Sequence, residues 1–98
     1  MRMLVRVRPD LRVANSAIAD GSMKEAMERA HERLKPEASY FLPQDGQRTA
    51  LFICDIPDES QIVALLDPFF SNLEAKIDVF PVMNFDDLRA GWAQLARG

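Results

Sequence analysis

The stretches of this chain that look like β-strands are apolar on both sides, and that limits the folds open to it. In residues 3–8, Met3, Val5 and Val7 alternate with Leu4, Arg6 and Arg8, the period of two of an extended strand, and Pro9 ends the run. In residues 38–42 and 49–56, Tyr40, Leu42, Leu51 and Ile53 fall on one side, and Phe41, Ala50, Phe52, Cys54 and Ile56 on the other. Asp45-Gly46 between them tolerates the positive φ of a tight turn, so the two stretches read as a hairpin. Residues 77–83 set Ile77, Val79 and Pro81 against Asp78, Phe80 and Val82. An open antiparallel sheet normally shows one apolar and one polar side. A bare apolar sheet face of a few hundred Å² is unusual for a monomer. The expectation is homodimerisation, sheet against sheet. Arg6, Arg8 and Asp78 lie on the side to be covered, where unpaired charges would be strongly destabilising. They must pair or stay wet, and Arg6 and Asp78 can pair if the first and fourth strands are neighbours.

Helical spacing separates the strands. Asp10 can cap a short helix whose face is Leu11, Ala14 and Ile18, and Asp20-Gly21 stops it. Ser22 and Glu25 have the spacing of a capping box for a second helix, striped by Met23, Met27, Ala30 and Leu34 and ended by Pro36. Asp58 and Gln61 can cap a third, with Ile62, Leu65, Leu66, Phe69 and Leu73 as its stripe. Pro68 removes a backbone donor inside this helix and predicts a kink. Asn84 can cap a last helix on which Phe85, Leu88, Trp92 and Leu95 recur at helical spacing, so this tail is expected to dock on something. The order strand, broken helix, strand, strand, helix, strand, helical tail matches the ferredoxin-like βαββαβ arrangement. This α+β fold would have a four-stranded antiparallel sheet with helices on one face and an added C-terminal helix. The 98 residues fit one such domain, residues 1–98, with no linker or repeat to divide it.

Composition removes several classes of function. Twelve Lys and Arg against fifteen Asp and Glu give a net charge of −3, which opposes general binding to a phosphate backbone, although Arg2, Arg6, Arg8 and Arg12 form a local basic stretch. No nucleic-acid partner is expected. The longest apolar runs, residues 50–54 and 62–66, fall far short of the ~20 residues of a membrane helix. Arginines break up the start of the chain where a signal-peptide core would lie, so no membrane partner and a cytoplasmic location are expected. The four glycines, at 21, 46, 91 and 98, have neither P-loop nor dinucleotide spacing.

Few residues could carry chemistry. His31, the single histidine, sits at the edge of the Met27, Ala30, Leu34 stripe and could shuttle a proton or bind haem. It lacks a second histidine, a cysteine pair or a Glu-x-x-His companion, and the plainer reading is a helix-flank side chain with its apolar body packed. No metal and no cofactor is expected. Tyr40 and Arg48 flank the hairpin and could together hold a small anion or phenolate; the plainer reading is a strand tyrosine and a solvated arginine. Cys54 sits mid-strand without a cationic neighbour in sequence, which suits a buried, unreactive thiol. Asp55 reads as a turn aspartate. Arg6 and Arg8, with Asp78, are the leading constellation, either an intersubunit ion-pair network or a ligand site.

The stretches Lys35-Pro-Glu-Ala-Ser-Tyr-Phe41, Asp45-Gly-Gln-Arg-Thr-Ala50 and Pro81-Val-Met-Asn84 with Asp87-Leu88 resemble a family of small uncharacterised bacterial proteins over nearly the whole chain. Those proteins are similar to ferredoxin-like dimeric α/β-barrel domains, a superfamily that includes cofactor-free monooxygenases, muconolactone isomerase and haem-dependent members. The resemblance implies the architecture and supplies no catalytic residue. The functional expectation is a cytoplasmic homodimer that binds a small organic ligand between the sheets or between helices and sheet. Two alternatives stay open: a cofactor-free monooxygenase or isomerase using Tyr40, His31 or an arginine, and a non-catalytic interaction module that docks through the helix around Leu88, Trp92 and Leu95.

Overall fold

The computed structural model describes the backbone of residues 1–97 and the side chains of residues 1–95. Its elements run β1 (Arg2–Arg8), α1 (Leu11–Asp20), α2 (Ser22–Leu34), β2 (Ala38–Gln44), β3 (Gln47–Asp55), α3 (Gln61–Leu73), β4 (Lys76–Pro81) and α4 (Phe85–Arg97). The strands form one sheet in the order β2-β3-β1-β4, and every neighbouring pair is antiparallel. This is the ferredoxin-like α+β fold, recognised from strand order and connections alone.

The register follows from the hairpin. Asp45 and Gly46 both take positive φ, at 53° and 74°, the twist of a two-residue turn that matches the twist of its flanking strands. Gln44 therefore faces Gln47, and the ladder runs back to Ala38 opposite Ile53. Val7, Val5 and Met3 of β1 pair with Ala50, Phe52 and Cys54 on one side and with Ile77, Val79 and Pro81 on the other. Alternation then sends Val5, Val7, Ala50, Phe52 and Cys54 to a single face, which α1, α2 and α3 cover. From the helices Ala17, Ala30, Leu34, Leu66, Phe69 and Leu73 meet them, with Phe52 stacked on Phe69 at 5.9 Å between ring centroids. Burying a large apolar side chain of this kind stabilises by about 1.5–3 kcal/mol, so this face holds the domain together.

Local chemistry departs from the sequence reading at several helix ends. Asp10 caps α1 as expected, its Oδ2 accepting from the Val13 amide at 3.2 Å. Gly21, in the left-handed region, ends α1 and is itself the N-cap of α2, so Ser22 is the first helical residue and no Ser22–Glu25 capping box forms. The Asp20 carboxylate takes the Ser22 amide instead, at 2.8 Å. At α3 the N-cap is Ser60, and the Asp58 carboxylate, two residues before it, accepts the Ser60 amide instead of an amide of the helix itself. The helix runs on through Pro68 to Leu73. On α1 the buried positions are Ala14 and Ala17, while Leu11 and Ile18 stay exposed, because small side chains let α1 sit close to the sheet. Asn84 and Asp87 satisfy one another's amides at the start of α4, at 2.8 and 3.0 Å.

The tail does not dock on its own subunit as a covering layer. Trp92 is 55% and Leu95 78% exposed, and the described chain measures 56 × 28 × 18 Å, long and thin. Phe85 and Trp92 pack edge to face on one another at 6.3 Å, and of the stripe only Leu88 is half-buried. No described helix is long and apolar enough to cross a membrane.

Candidate functional site

The second face of the sheet carries no helix. Leu4 on β1, Tyr40 and Leu42 on β2, Leu51 and Ile53 on β3, and Phe80 on β4 all point to it, as their cross-strand partners fix. Tyr40 is 63% and Phe80 45% exposed. α4 does not roof them.

The arginines on this face are paired within the chain. Arg6 lies directly across from Asp78 in the β1–β4 ladder, and its Nε and Nη2 both donate to Asp78 Oδ2, at 3.1 and 2.7 Å. The guanidinium also sits 5.7 Å from the centre of the Phe80 ring. Arg8 reaches across β3 to Gln44 Oε1 at 3.0 Å and to Asp45 Oδ2 at 3.5 Å. Its Nε is sealed from water without an acceptor among the described residues. Arg2, at the other end of β1, donates to Glu37 at 2.6 Å and to Asp87 at 2.7 Å, and Glu37 first, then Asp87, hold its charge in place by raising its pKa. Each arginine of β1 thus meets a carboxylate in its own chain. The result is a greasy face with an ion pair near its middle, and with Lys76, opposite Arg8 at one end, lacking a carboxylate partner among the described residues.

The other expected residues are distributed differently. Tyr40 shares the open face with Arg6, Arg8 and Asp78 but stands on the edge strand, with Leu51 of β3 opposite it. Arg48 does not join it. Paired with Pro43, Arg48 points to the helix side, where its Nε meets Asn15 Oδ1 of α1 at 3.4 Å, so the expected Tyr40–Arg48 clamp for an anion is divided by the sheet itself. His31, on α2, also lies on the helix side. Its Nε2 is 3.1 Å from Ser39 Oγ, its ring stacks near Phe41 at 6.5 Å and meets the edge of Phe52 at 5.8 Å. Cys54 is buried, and that burial first, with Asp55 and Glu37 nearby, pushes its thiol pKa up, which disfavours the reactive thiolate. Among the described residues, no three His, Cys, Asp or Glu side chains converge as a metal site would.

Sequence reasoning missed the partners Glu37, Gln44, Asp45 and Asp87. The turn aspartate and the hairpin register were available in the sequence; the reach of Arg8 over Thr49 and the approach of α4 to Arg2 were not. On the helix side, where the sequence allows a ligand between helices and sheet without locating it, a cleft of about 380 Å³ lies between the β2–β3 hairpin and the α1–α2 corner, where Ile18, Met23, Met27, Phe41, Ala50 and Arg48 meet. Its volume lies at the small end of the range for ligand pockets.

No protein-family model matches the chain, and no curated protein does. Among solved structures it is similar to the de novo designed protein Ferredog-Diesel, at 14% identity over 83% of this chain and 85% of that one, with a TM-score of 0.45.

Proposed function

We propose that this chain is a cytoplasmic homodimer of the dimeric α/β-barrel type, closed through the open sheet face, that binds a small organic ligand. The observation that supports it is the covering of one face only: Leu4, Leu51, Ile53 and Phe80 line a continuous apolar surface that neither the helices nor α4 cover. The occupant suggested by charge is a second copy. Arg2, Arg6 and Arg8 each have a carboxylate partner in cis, so the β1 arginines leave no cluster of unpaired charge to select an oppositely charged partner, and the face can meet its own copy in an isologous contact. The Arg6–Asp78 pair, hydrogen-bonded through two donors, can be enclosed without leaving an isolated charge. Light scattering across a dilution series tests this reading: a mass twice that of one chain, persisting at micromolar concentration, is expected, and a monomer throughout would overturn it.

A further inference from the structure

We propose that the cleft between the β2–β3 hairpin and the α1–α2 corner binds a small amphiphilic monoanion, its acidic head on Arg48 and its apolar tail against Ile18, Met23, Met27 and Phe41. This deepens the ligand-binding half of the reading above and does not need the dimer half.

The apolar part of the argument is unfilled space beside uncovered grease. Phe41 and Ile18 stay 58% and 46% exposed although both flank the domain core, and the space of about 380 Å³ beside them is large enough for a small ligand and too small for a cofactor-sized one. Met23 and Met27 form the helical wall. Their unbranched, polarisable side chains adapt to apolar groups of differing shape, which suits a tail recognised by hydrophobicity rather than by outline.

The charge comes from a contrast among the arginines. Arg2, Arg6 and Arg8 each reach a carboxylate, whereas Arg48, on the rim of the cleft, has only the Asn15 side-chain oxygen at 3.4 Å, a long contact made by Nε. No carboxylate pairs with it among the described residues, and its terminal nitrogens remain available as donors. A guanidinium presents those donors in a planar fork that fits a carboxylate through two parallel bonds. Apolar walls with a single unneutralised fork at the mouth select a monoanion with one greasy end, in preference to a polyanion or a cation.

The test is an NMR titration of the full chain with octanoate, octanol and octylammonium, read at the methyl signals of Met23 and Met27. Octanoate is expected to shift both saturably and to bind about tenfold or more tightly than octanol, as a charge-assisted hydrogen bond requires. Octylammonium should bind worst. Arg48→Gln should bring octanoate down to the level of octanol, and Ile18→Glu, at an exposed position, should weaken octanoate and octanol alike by setting a charge against the tail. Equal affinity for octanoate and octanol, or shifts confined to Leu4 and Leu51 on the opposite face, would overturn the proposal. A change of oligomeric mass on Ile18→Glu would overturn it too, by showing that the cleft is a protein contact. Saturable methionine shifts on a protein that stays monomeric would leave the cleft standing and sink the dimer, so the two readings fail separately.

Discussion

On one face of the sheet Val5, Val7 and Phe52 are fully hidden beneath three helices; on the other, one residue away along the same strands, Leu4, Arg6 and Leu51 have only each other and the strands beside them. Both faces are made mostly of strand-forming apolar residues, so hydrophobicity alone does not separate them. Charge placement does. The covered face contains no ionisable side chain from β1, whereas the uncovered one carries Arg2, Arg6 and Arg8, each paired with a carboxylate, and Asp78 and Lys76 of β4, of which Lys76 has no ion pair among the described residues. A surface that had evolved only to meet water would have little need for Leu4, Leu51, Ile53 and Phe80 side by side, and a surface folded only into a core would not tolerate Arg6 and Asp78. The combination suits a face that is wet in one state and enclosed in another.

The largest expected difference between the faces concerns folding. Phe52→Ala opens a cavity where two aromatic rings and the helices meet and should cost about 3–5 kcal/mol, whereas Leu51→Ala, its neighbour on the other face, should cost a dissociated subunit no more than about 1 kcal/mol. Urea unfolding at low concentration checks both, and equal losses would erase the distinction. Next comes association. Phe80→Asp should leave the far-ultraviolet circular dichroism unchanged and weaken the dimer by about tenfold or more, since it buries an unpaired charge; an unchanged mass on dilution would remove Phe80 from the interface.

A smaller effect sits in the ion pair. The Arg6 and Asp78 side chains are 26% and 46% exposed in the single chain, so a double-mutant cycle with Arg6→Gln and Asp78→Asn should give a coupling below about 1 kcal/mol for the separated chain and more within the proposed dimer, which would exclude water from the pair. Equal couplings in both states would mean that the pair never leaves solvent. The smallest effect lies away from both faces, at the α1–α2 corner. Hydrogen bonding from Ser22 lowers the Asp20 carboxyl below its ordinary value of 3.8. A carboxyl whose pKa falls on folding adds stability above its unfolded value, and that stability disappears as pH drops through the lowered folded value. Asp20→Asn should therefore flatten a shallow loss of stability between neutral and strongly acidic pH, measured by thermal melts, without moving the dimer equilibrium.

Much of the fold can be read from alternation and turn chemistry. Asp45-Gly46 fixes the hairpin register, period-two patterning marks the strands, and placing β1 beside β4 brings Arg6 to Asp78. The Tyr40–Arg48 pairing failed although the information was present: across a two-residue turn Tyr40 faces Leu51, so Arg48 belongs with Ala50 and Phe52 on the opposite side. Helix starts were less legible. Ser22 and Asp58 both sit near a helix start with suitable spacing, and which residue becomes the cap depends on where the preceding glycine or turn ends, a matter of one residue. The α1–α2 cleft was invisible because it arises from how far two helices stand from a hairpin, which no local pattern encodes. The apolar stripe of α4 is legible in the sequence, yet a stripe says only that a helix prefers company, and Trp92 here meets the Phe85 ring and stays largely exposed.

The claim that water is kept off the second face can be measured directly with a soluble paramagnetic relaxation agent at micromolar protein. The methyl signals of Leu4, Leu51 and Ile53 should stay as sharp as those of Val5 and Val7, which the fold already hides, while those of Val63, 76% exposed on α3, should broaden. Broadening of Leu4 and Leu51 to the extent seen at Val63 would contradict the account, because it would put solvent where a second subunit is expected.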